Sequence, residues 1–225
     1  MEWIRAHVLL SLLIAAGTVT FVWLLLLRER LRMTWYAALV FAVLHVAYGV
    51  FCVRVFARME GAGSGAMSLF GAVFFMPLGY WAGAKTMRRP VSEVFDLFAP
   101  AMVFTLLCAR INCLYAGCCL GRFIPGTAHR WPTRESEIVF YLVFLGIIIP
   151  RVLRGGMKGR VYPLYMISYG AFRAVEECFR EAGTHTFFHL SHIWALCAIG
   201  LGLSVYMEQN KRLKLAGRQA VRRKK

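Results

Sequence analysis

The 225-residue chain has no stretch long enough to form a soluble domain. Hydrophobic residues make up 59% of it, and long runs without a charged residue recur along its length. A helix rises 1.5 Å per residue, so about twenty apolar residues cross the ~30 Å hydrocarbon core of a bilayer. The composition therefore argues against a large soluble core and predicts an integral membrane bundle of the all-α class.

Seven apolar runs predict seven membrane-spanning helices. They lie at 8–27, 35–53, 66–84, 97–121, 136–153, 161–179 and 187–207. The first run is longer than the apolar core of a signal peptide and lacks a small-x-small cleavage site after it, so we expect it to be retained. We expect a single membrane domain over 1–207, followed by a basic tail over 208–225.

Acidic residues are scarce, with 11 of them against 27 lysines and arginines, which gives a net charge of +16. No nucleic-acid-binding motif accompanies this charge, so we expect no nucleic-acid partner. Most of the basic residues fall in alternate connections and in the tail, at 28–34, 85–93, 150–160 and after 207. The positive-inside rule makes these segments cytoplasmic, with the N-terminus outside. We expect the tail to bind anionic lipid headgroups.

Other charged residues lie at one end of the fourth, fifth and sixth predicted spans. Arg110 and Arg122 come late in the fourth, Glu137 begins the fifth, and Arg173 and Glu177 come late in the sixth. Because successive spans alternate in direction, all three charged ends are predicted to lie in the outer half of the bilayer. A charge there costs at least ~2.5 to 3.5 kcal/mol and normally faces a partner or a wet cavity. These residues therefore predict a polar site open to the outer leaflet.

The sixth span has a polar stripe. Tyr165, Tyr169, Arg173 and Glu177 recur every four residues, and Arg180 follows three residues later, so all five share one helix face. One interpretation is an Arg–Glu pair that only neutralises itself near the interface. The other is a binding site for an anion, because the forked donors of several arginines suit the phosphate of a phospholipid headgroup.

The chain has no paired CxxC motif, although it contains seven cysteines. Cys113, Cys118 and Cys119 lie close together, but this spacing is a weak match to a zinc or iron–sulfur site. In a regular helix, residues five apart are also poorly placed to form a disulfide. We expect small buried hydrophobes and neither a metal nor a cofactor. A reactive thiol or an outer-face disulfide stays open as an alternative.

The fourth span resembles a signature of the bacterial prolipoprotein diacylglyceryl transferase family. That signature reads approximately G-R-x-G-N-F-x-N-x-E-x-x-G-R, and four of its positions are matched here, by Arg110, Gly117, Gly121 and Arg122. Where the family has Asn, Asn and Glu, this chain has Cys113, Ala116 and Cys118. The family's third-span His-Gly-Gly aligns with 69–71, so its histidine is absent.

Two later motifs extend the resemblance. The family's H-P-x-Q-L-Y-E is similar to HRWPTRESE at 129–137, with Pro132 and Glu137 retained. Its Y-G-x-x-R-x-x-x-E-x-x-R is matched in full, by Tyr169, Gly170, Arg173, Glu177 and Arg180. The family's seven spans and outer N-terminus also agree with the topology predicted above.

The resemblance implies a transferase of the bacterial inner membrane. It would move a diacylglyceryl group from phosphatidylglycerol to the lipobox cysteine thiol in the signal peptide of a preprolipoprotein. Arg110 and Arg173 would hold the phosphate, Glu177 would orient Arg173, and Tyr169 would donate to the headgroup. His129 is the candidate base. The other expected substrate-binding residues are Arg122, Arg180, Cys113, Cys118, Gly121 and Glu137. The alternative is a lipid-binding or transport protein that has lost the chemistry.

Overall fold

A computed structural model describes residues 2–63, 65–181 and 190–222. Within these ranges the chain forms seven long helices and one short one. They are α1 (Glu2–Leu26), α2 (Arg28–Leu31), α3 (Trp35–Met59), α4 (Phe70–Thr86), α5 (Val91–Ala116), α6 (Thr133–Leu153), α7 (Val161–Glu177) and α8 (Leu190–Arg222). The seven long helices correspond to the seven predicted spans.

Five described helices are long and apolar enough to cross a membrane. The segments are His7–Leu26, Trp35–Met59, Val91–Ala116, Thr133–Leu153 and Leu190–Ala216. The other two long helices, α4 and α7, have 17 residues each. Large apolar side chains stay exposed on the outside of the bundle, among them Leu142, Val143 and Leu196. The predicted all-α, multi-pass membrane fold is thus confirmed, while the orientation of its termini stays a prediction.

Helix α5 is the centre of the bundle. In its most apolar segment 72% of the residues are buried, against 22 to 33% in the other four membrane-spanning segments. It packs against α1, α4, α6 and α7. A helix enclosed in this way can hold polar side chains away from lipid, because its neighbours supply their partners.

Among the described helices, α7 and α8 have the most extensive contact. This contact, the α7–α8 seam, depends on glycine. A Cβ atom on Gly170 of α7 would lie 2.7 Å from the carbonyl oxygen of Ala195, and one on Gly202 of α8 would lie 2.9 Å from that of Pro163. Small residues let two helix backbones approach closely in a membrane. The face of α7 that carries Gly170 is therefore packed closely against α8.

Several predicted boundaries differ from the structure, among them the ends of the fourth and seventh spans. The fourth span was predicted to continue to residue 121, but α5 ends at Ala116 and Gly117 takes a left-handed conformation with φ of 69°. Glycine commonly ends helices in this way because it has no Cβ to clash. At the other end, α8 continues to Arg222 instead of ending near 207, although 187–189 lie outside the described residues.

The basic connections meet at one end of the bundle. Arg30 donates a hydrogen bond to the carbonyl of Val152 at 2.7 Å, and Arg89 donates to the carbonyl of Arg30. The segments 28–34, 85–93 and 150–160 therefore lie together, as their alternation along the chain predicted. The late part of α5, the start of α6 and the end of α7 lie at the opposite end.

Candidate functional site

Glu137 lies at the centre of a buried polar cluster where α5, α6 and α7 meet. Its Oε2 is 2.6 Å from Nε of Arg110. Its Oε1 accepts hydrogen bonds from the hydroxyls of Tyr141, at 2.9 Å, and Tyr169, at 3.4 Å. All four side chains are buried. One carboxylate therefore connects three helices, and it neutralises Arg110 where solvent cannot.

A second ion cluster lies at the end of α7. Arg173 is buried and contacts two carboxylates, Glu176 three residues on and Glu177 four residues on, the latter at 2.7 Å. Arg180 lies 3.9 Å from the same Glu177 oxygen. The spacing predicted the contact between Arg173 and Glu177, because residues four apart share a helix face. The contact with Glu176 was not predicted.

Glu60, just after the end of α3, lies near this second cluster. Burial raises the pKa of the Glu60 carboxyl, while a hydrogen bond with Ser68 and the nearby Arg173 guanidinium act in the opposite direction. Arg173 is therefore surrounded by carboxylates from two parts of the chain.

A layer of tyrosine rings supports both clusters. The rings of Tyr165 and Tyr169 stack with centroids 5.5 Å apart, and those of Tyr141 and Tyr169 stack at 6.0 Å. The three rings are completely buried. This stacking restricts the orientations of Tyr141 and Tyr169, whose hydroxyls donate to Glu137.

A cavity of about 410 Å³ lies between α1, α3, α4 and α5. Much of its wall is apolar, including Leu9, Leu12, Leu13, Val53, Met76 and Leu106. Arg54, Arg110 and Asn112 also line it, and all three lie in the later parts of α3 and α5, two helices that run in the same direction. The cavity thus combines apolar walls with a polar end, which suits a ligand with hydrocarbon chains and an anionic head.

The two arginines at the polar end differ in their surroundings. Arg54 is exposed and forms no ion pair within the described ranges. The ion pair of Arg110 uses Nε, which leaves its two Nη groups to face other ligands. Arginine presents several donors in one plane, so both side chains can bind the oxygens of a phosphate.

The loop between α5 and α6 closes over this end of the bundle. The Arg122 amide donates to the carbonyl of Phe179 at 2.9 Å, and an antiparallel bridge joins Gly121 to Arg180. A Cβ on Gly121 would lie 2.1 Å from the carbonyl oxygen of Trp131, so this position has room only for glycine. The predicted site residues Gly121 and Arg180 therefore connect the loop to the end of α7.

The side chains of Arg122 and His129 are exposed in this loop. Neither is among the described residues that line the cavity. The structure thus brings Arg110, Glu137 and Tyr169 into contact, but it leaves these two predicted residues outside that group.

The three cysteines near the end of α5 come together. Their sulfur atoms all lie within 4.8 Å of one another, and all three residues line the cavity. Cys118 is exposed, whereas Cys113 and Cys119 are half-buried. The prediction that these cysteines belong to one regular helix was wrong, because α5 ends at Ala116 and two of the three lie beyond it.

The backbone of this turn is strained at Cys119, whose φ is 60°. A non-glycine residue in the left-handed region costs about 1 to 3 kcal/mol and is common at functional sites. The Thr133 hydroxyl donates to the Cys119 carbonyl at 3.2 Å, which helps to hold this conformation. Hydrogen bonds from Cys113 and Cys118 lower the pKa of the Cys119 thiol well below its usual range, and Arg180 and Arg110 act in the same direction.

Several residues of the site were missed from the sequence. Tyr141 lies four residues after Glu137, a spacing that could have indicated it. Arg54 was overlooked because the second span was predicted to end at residue 53, whereas α3 continues to Met59. The contact of Glu176 with Arg173 was not predicted, because the sequence alone does not show whether an arginine pairs with the glutamate three positions on, with the one four positions on, or with both.

The chain matches a family model described as prolipoprotein diacylglyceryl transferase over residues 9–207. Three bacterial relatives named phosphatidylglycerol–prolipoprotein diacylglyceryl transferase are similar to it. The protein of Clostridium tetani is 25% identical over 154 residues, which cover 61% of this chain and 62% of the relative. That of Dehalococcoides mccartyi strain CBDB1 is 28% identical over 157 residues, or 61% and 58%. That of Chlorobaculum tepidum is 26% identical over 167 residues, or 66% and 58%.

The chain spans about three-fifths of the length of the curated relatives it matches. The family model, in contrast, covers far more than half of the chain, from α1 to the middle of α8. On this evidence the chain belongs to the prolipoprotein diacylglyceryl transferase family.

Proposed function

We propose that this protein transfers a diacylglyceryl group from phosphatidylglycerol to the lipobox cysteine of a preprolipoprotein signal peptide, in a bacterial inner membrane. The single observation that supports this best is the cavity, which joins apolar walls to Arg54, Arg110 and Asn112. The acyl chains of the donor lipid extend from the apolar part of the cavity into the bilayer, and its phosphate lies at the arginines. Family membership and the names of the relatives point to the same reaction.

The reaction needs a thiolate and a stabilised leaving group. The acceptor thiolate attacks the glyceryl carbon that bears the phosphate, the carbon–oxygen bond breaks, and glycerol phosphate leaves with the bonding electrons. Arg110 offsets the charge that develops on the phosphate oxygen, and such a donor acts strongly in a site shielded from water. Arg54 binds the phosphate of the donor lipid at the exposed end of the cavity. Glu137 holds Arg110 in position for this role.

The remaining residues have supporting roles in this proposal. Tyr169 donates to Glu137 in this structure, so it positions the arginine that faces the cavity. Glu177 orients Arg173, and neither is among the described residues that line the cavity. Gly121 and Arg180 fix the loop above the site. His129 was predicted as the base from the sequence, but its imidazole is exposed and is not among the described residues that line the cavity, so it is given no role as the base in this proposal. Arg122 is expected to contact the headgroup from the loop.

The topology predicted from the basic residues indicates on which side of the membrane the reaction occurs. The polar end of the cavity faces the outer leaflet, where the signal peptide of an exported protein becomes accessible. The basic tail beyond residue 207 lies on the cytoplasmic side and binds anionic headgroups there, because each lysine or arginine near such a surface gains about 1 kcal/mol.

A transfer assay tests the proposal. Purified protein in vesicles of phosphatidylglycerol receives a peptide with a lipobox, and mass spectrometry follows the diacylglyceryl increment on its cysteine. We expect the increment with the natural chain and a loss of at least about 100-fold with Arg110→Ala. Arg151→Ala is the matched control, because Arg151 is exposed at the opposite end of the bundle.

Two outcomes would contradict the proposal. No increment with the natural chain, while it still binds phosphatidylglycerol, would favour a lipid-binding protein without transferase chemistry. An equal loss with Arg110→Ala and Arg151→Ala would show that charge in general, and not the cavity arginine, is needed.

A further inference from the structure

The geometry of the three cysteines is close to that of a metal site. A tetrahedral zinc ion with zinc–sulfur bonds of about 2.3 Å requires sulfur atoms about 3.8 Å apart. The sulfurs of Cys113, Cys118 and Cys119 already lie within 4.8 Å of one another. The distance between any two of these sulfurs therefore exceeds the required value by no more than about 1 Å.

The backbone is arranged to produce this group. Gly117 ends α5 in a left-handed conformation and turns the chain back, so that the two following cysteines face Cys113 in the last turn of the helix. The hydroxyl of Thr133 fixes the carbonyl of Cys119 at 3.2 Å. The group is thus set up by an interaction with α6, as well as by the local sequence.

The charges nearby also suit such an ion. Three thiolates and one Zn²⁺ have a net charge of −1, which a partly buried site needs to offset. Arg110 lines the same cavity as the three cysteines, and Arg180 is bridged to Gly121, which follows Cys119 in the same loop. Cys118 is exposed, so an ion can reach the group from outside.

We propose that Cys113, Cys118 and Cys119 bind a thiophilic divalent cation, best matched by Zn²⁺, with the fourth coordination position open to the cavity. Three protein ligands and one open position are typical of catalytic zinc, whereas structural zinc has four protein ligands. All three cysteines line the cavity, so the open position faces the same space as Arg110.

If the protein is a transferase, the open coordination position has a role in the reaction, and this part of the inference rests on that proposed function. The acceptor thiol becomes the fourth ligand and loses its proton to water, because a thiol bound to a metal is deprotonated. Its sulfur then forms a bond to the glyceryl carbon, and the carbon–oxygen bond to phosphate breaks. The phosphate oxygen keeps the electron pair, and no group is oxidised or reduced.

Metal content tests the site without any transferase reaction. The full chain is purified under reducing conditions, loaded with Zn²⁺ and passed through a desalting column, and the metal is measured by mass spectrometry. We expect about one zinc per chain, and background levels after Cys113, Cys118 and Cys119 are all changed to Ser. Cys197→Ser is the matched control, because Cys197 is exposed on α8 and should leave the metal content unchanged.

Cobalt tests the open position. Co²⁺ bound to thiolates absorbs in the near ultraviolet, and the band changes when a fourth thiolate binds. We expect the change with a lipobox peptide and none with the same peptide in which Ser replaces Cys. Because the triple variant can fail to fold, Cys118→Ser alone is measured too, and we expect it to weaken the band while circular dichroism stays unchanged.

Several results would overturn the metal site. They are metal content no higher than in the triple variant, a disulfide within the group in freshly isolated protein, and a Co²⁺ band that Cys118→Ser leaves unchanged. A Co²⁺ band that does not change when the lipobox peptide is added would show that the fourth coordination position is not open to the acceptor thiol. If metal binds and no transfer occurs, the transferase proposal fails while the site stands; if the triple variant still transfers, the metal has no role in the reaction.

Discussion

Two arginines are buried in the described part of the chain, and they are held in different ways. Arg110 on α5 pairs with Glu137 on the following helix, α6, whereas Arg173 pairs with Glu176 and Glu177 on its own helix. Arg110 lines the cavity, and Arg173 is not among the described residues that do so. The Arg110–Glu137 pair can therefore respond to a ligand in the cavity, whereas the Arg173 cluster lies outside the described cavity lining.

This difference shows how one charged residue type can have two roles at the same end of a bundle. A pair between helices fixes their relative position, and a pair within a helix stabilises that helix and supports its neighbours. Substitutions of these arginines and of their partners test this distinction.

Arg110→Ala should be the most damaging change. It leaves Glu137 buried without a cation, which costs about 3 to 5 kcal/mol of unfolding free energy, and it removes a donor to the leaving phosphate. Thermal unfolding in detergent and the transfer assay measure the two effects separately. Arg110→Ala with Glu137→Gln should recover much of the stability and none of the transfer; recovery of both would place Arg110 outside the reaction.

Arg173→Ala should cost less stability, about 2 to 3 kcal/mol, because the two carboxylates it leaves lie at the end of α7 near the loop. Transfer should fall about tenfold, which corresponds to about 1.4 kcal/mol. Adding Glu177→Gln should restore part of the stability, and adding Glu176→Gln as well should restore more. Full recovery with Glu177→Gln alone would mean that the contact with Glu176 contributes nothing.

Arg54→Ala should affect the ligand without affecting the fold. The side chain is exposed, so the unfolding free energy should change by no more than about 0.5 kcal/mol. The KM for phosphatidylglycerol should rise about tenfold, because a charged hydrogen bond to phosphate is lost. Arg58→Ala is the matched control on the same helix. An unchanged KM would remove Arg54 from the headgroup site.

His129→Ala should have the smallest effect. A general base contributes about 10² to 10⁴-fold to a rate, whereas this imidazole is exposed and outside the cavity wall. We expect transfer within about threefold of the natural rate and an unchanged pH profile. A fall of 100-fold with a lost acidic limb would instead establish His129 as the base.

Much of the fold could be predicted from the sequence, because crossing a bilayer requires long apolar runs and few arrangements satisfy that requirement. The polar stripe of α7 was also predictable, since Tyr169, Arg173 and Glu177 repeat at the helical period. The end of α5 was not predicted, although Gly117 is a typical helix-ending signal. That single error concealed the grouping of the cysteines.

The pairing of Arg110 with Glu137 could be anticipated only in part. Their predicted positions put both at the same end of the bundle, but periodicity within one helix does not determine which residue of another helix it meets. Such contacts depend on the rotation of α6 against α5, which is fixed by the packing of many side chains. The shape of the cavity depends on the same packing, so it too required the structure.

The glycine seam between α7 and α8 has a consequence for how the protein meets membranes of different thickness. With Gly170 against Ala195 and Gly202 against Pro163, α7 has no room to slide or rotate on its neighbour. Hydrophobic mismatch is then accommodated by tilting of the less buried helices, such as α1 and α3. Tyr169 and Arg173 then keep their depth in the bilayer while the lipid-facing side of the cavity adjusts. The protein should therefore tolerate a change in lipid acyl-chain length better than a substitution of Gly170 or Gly202.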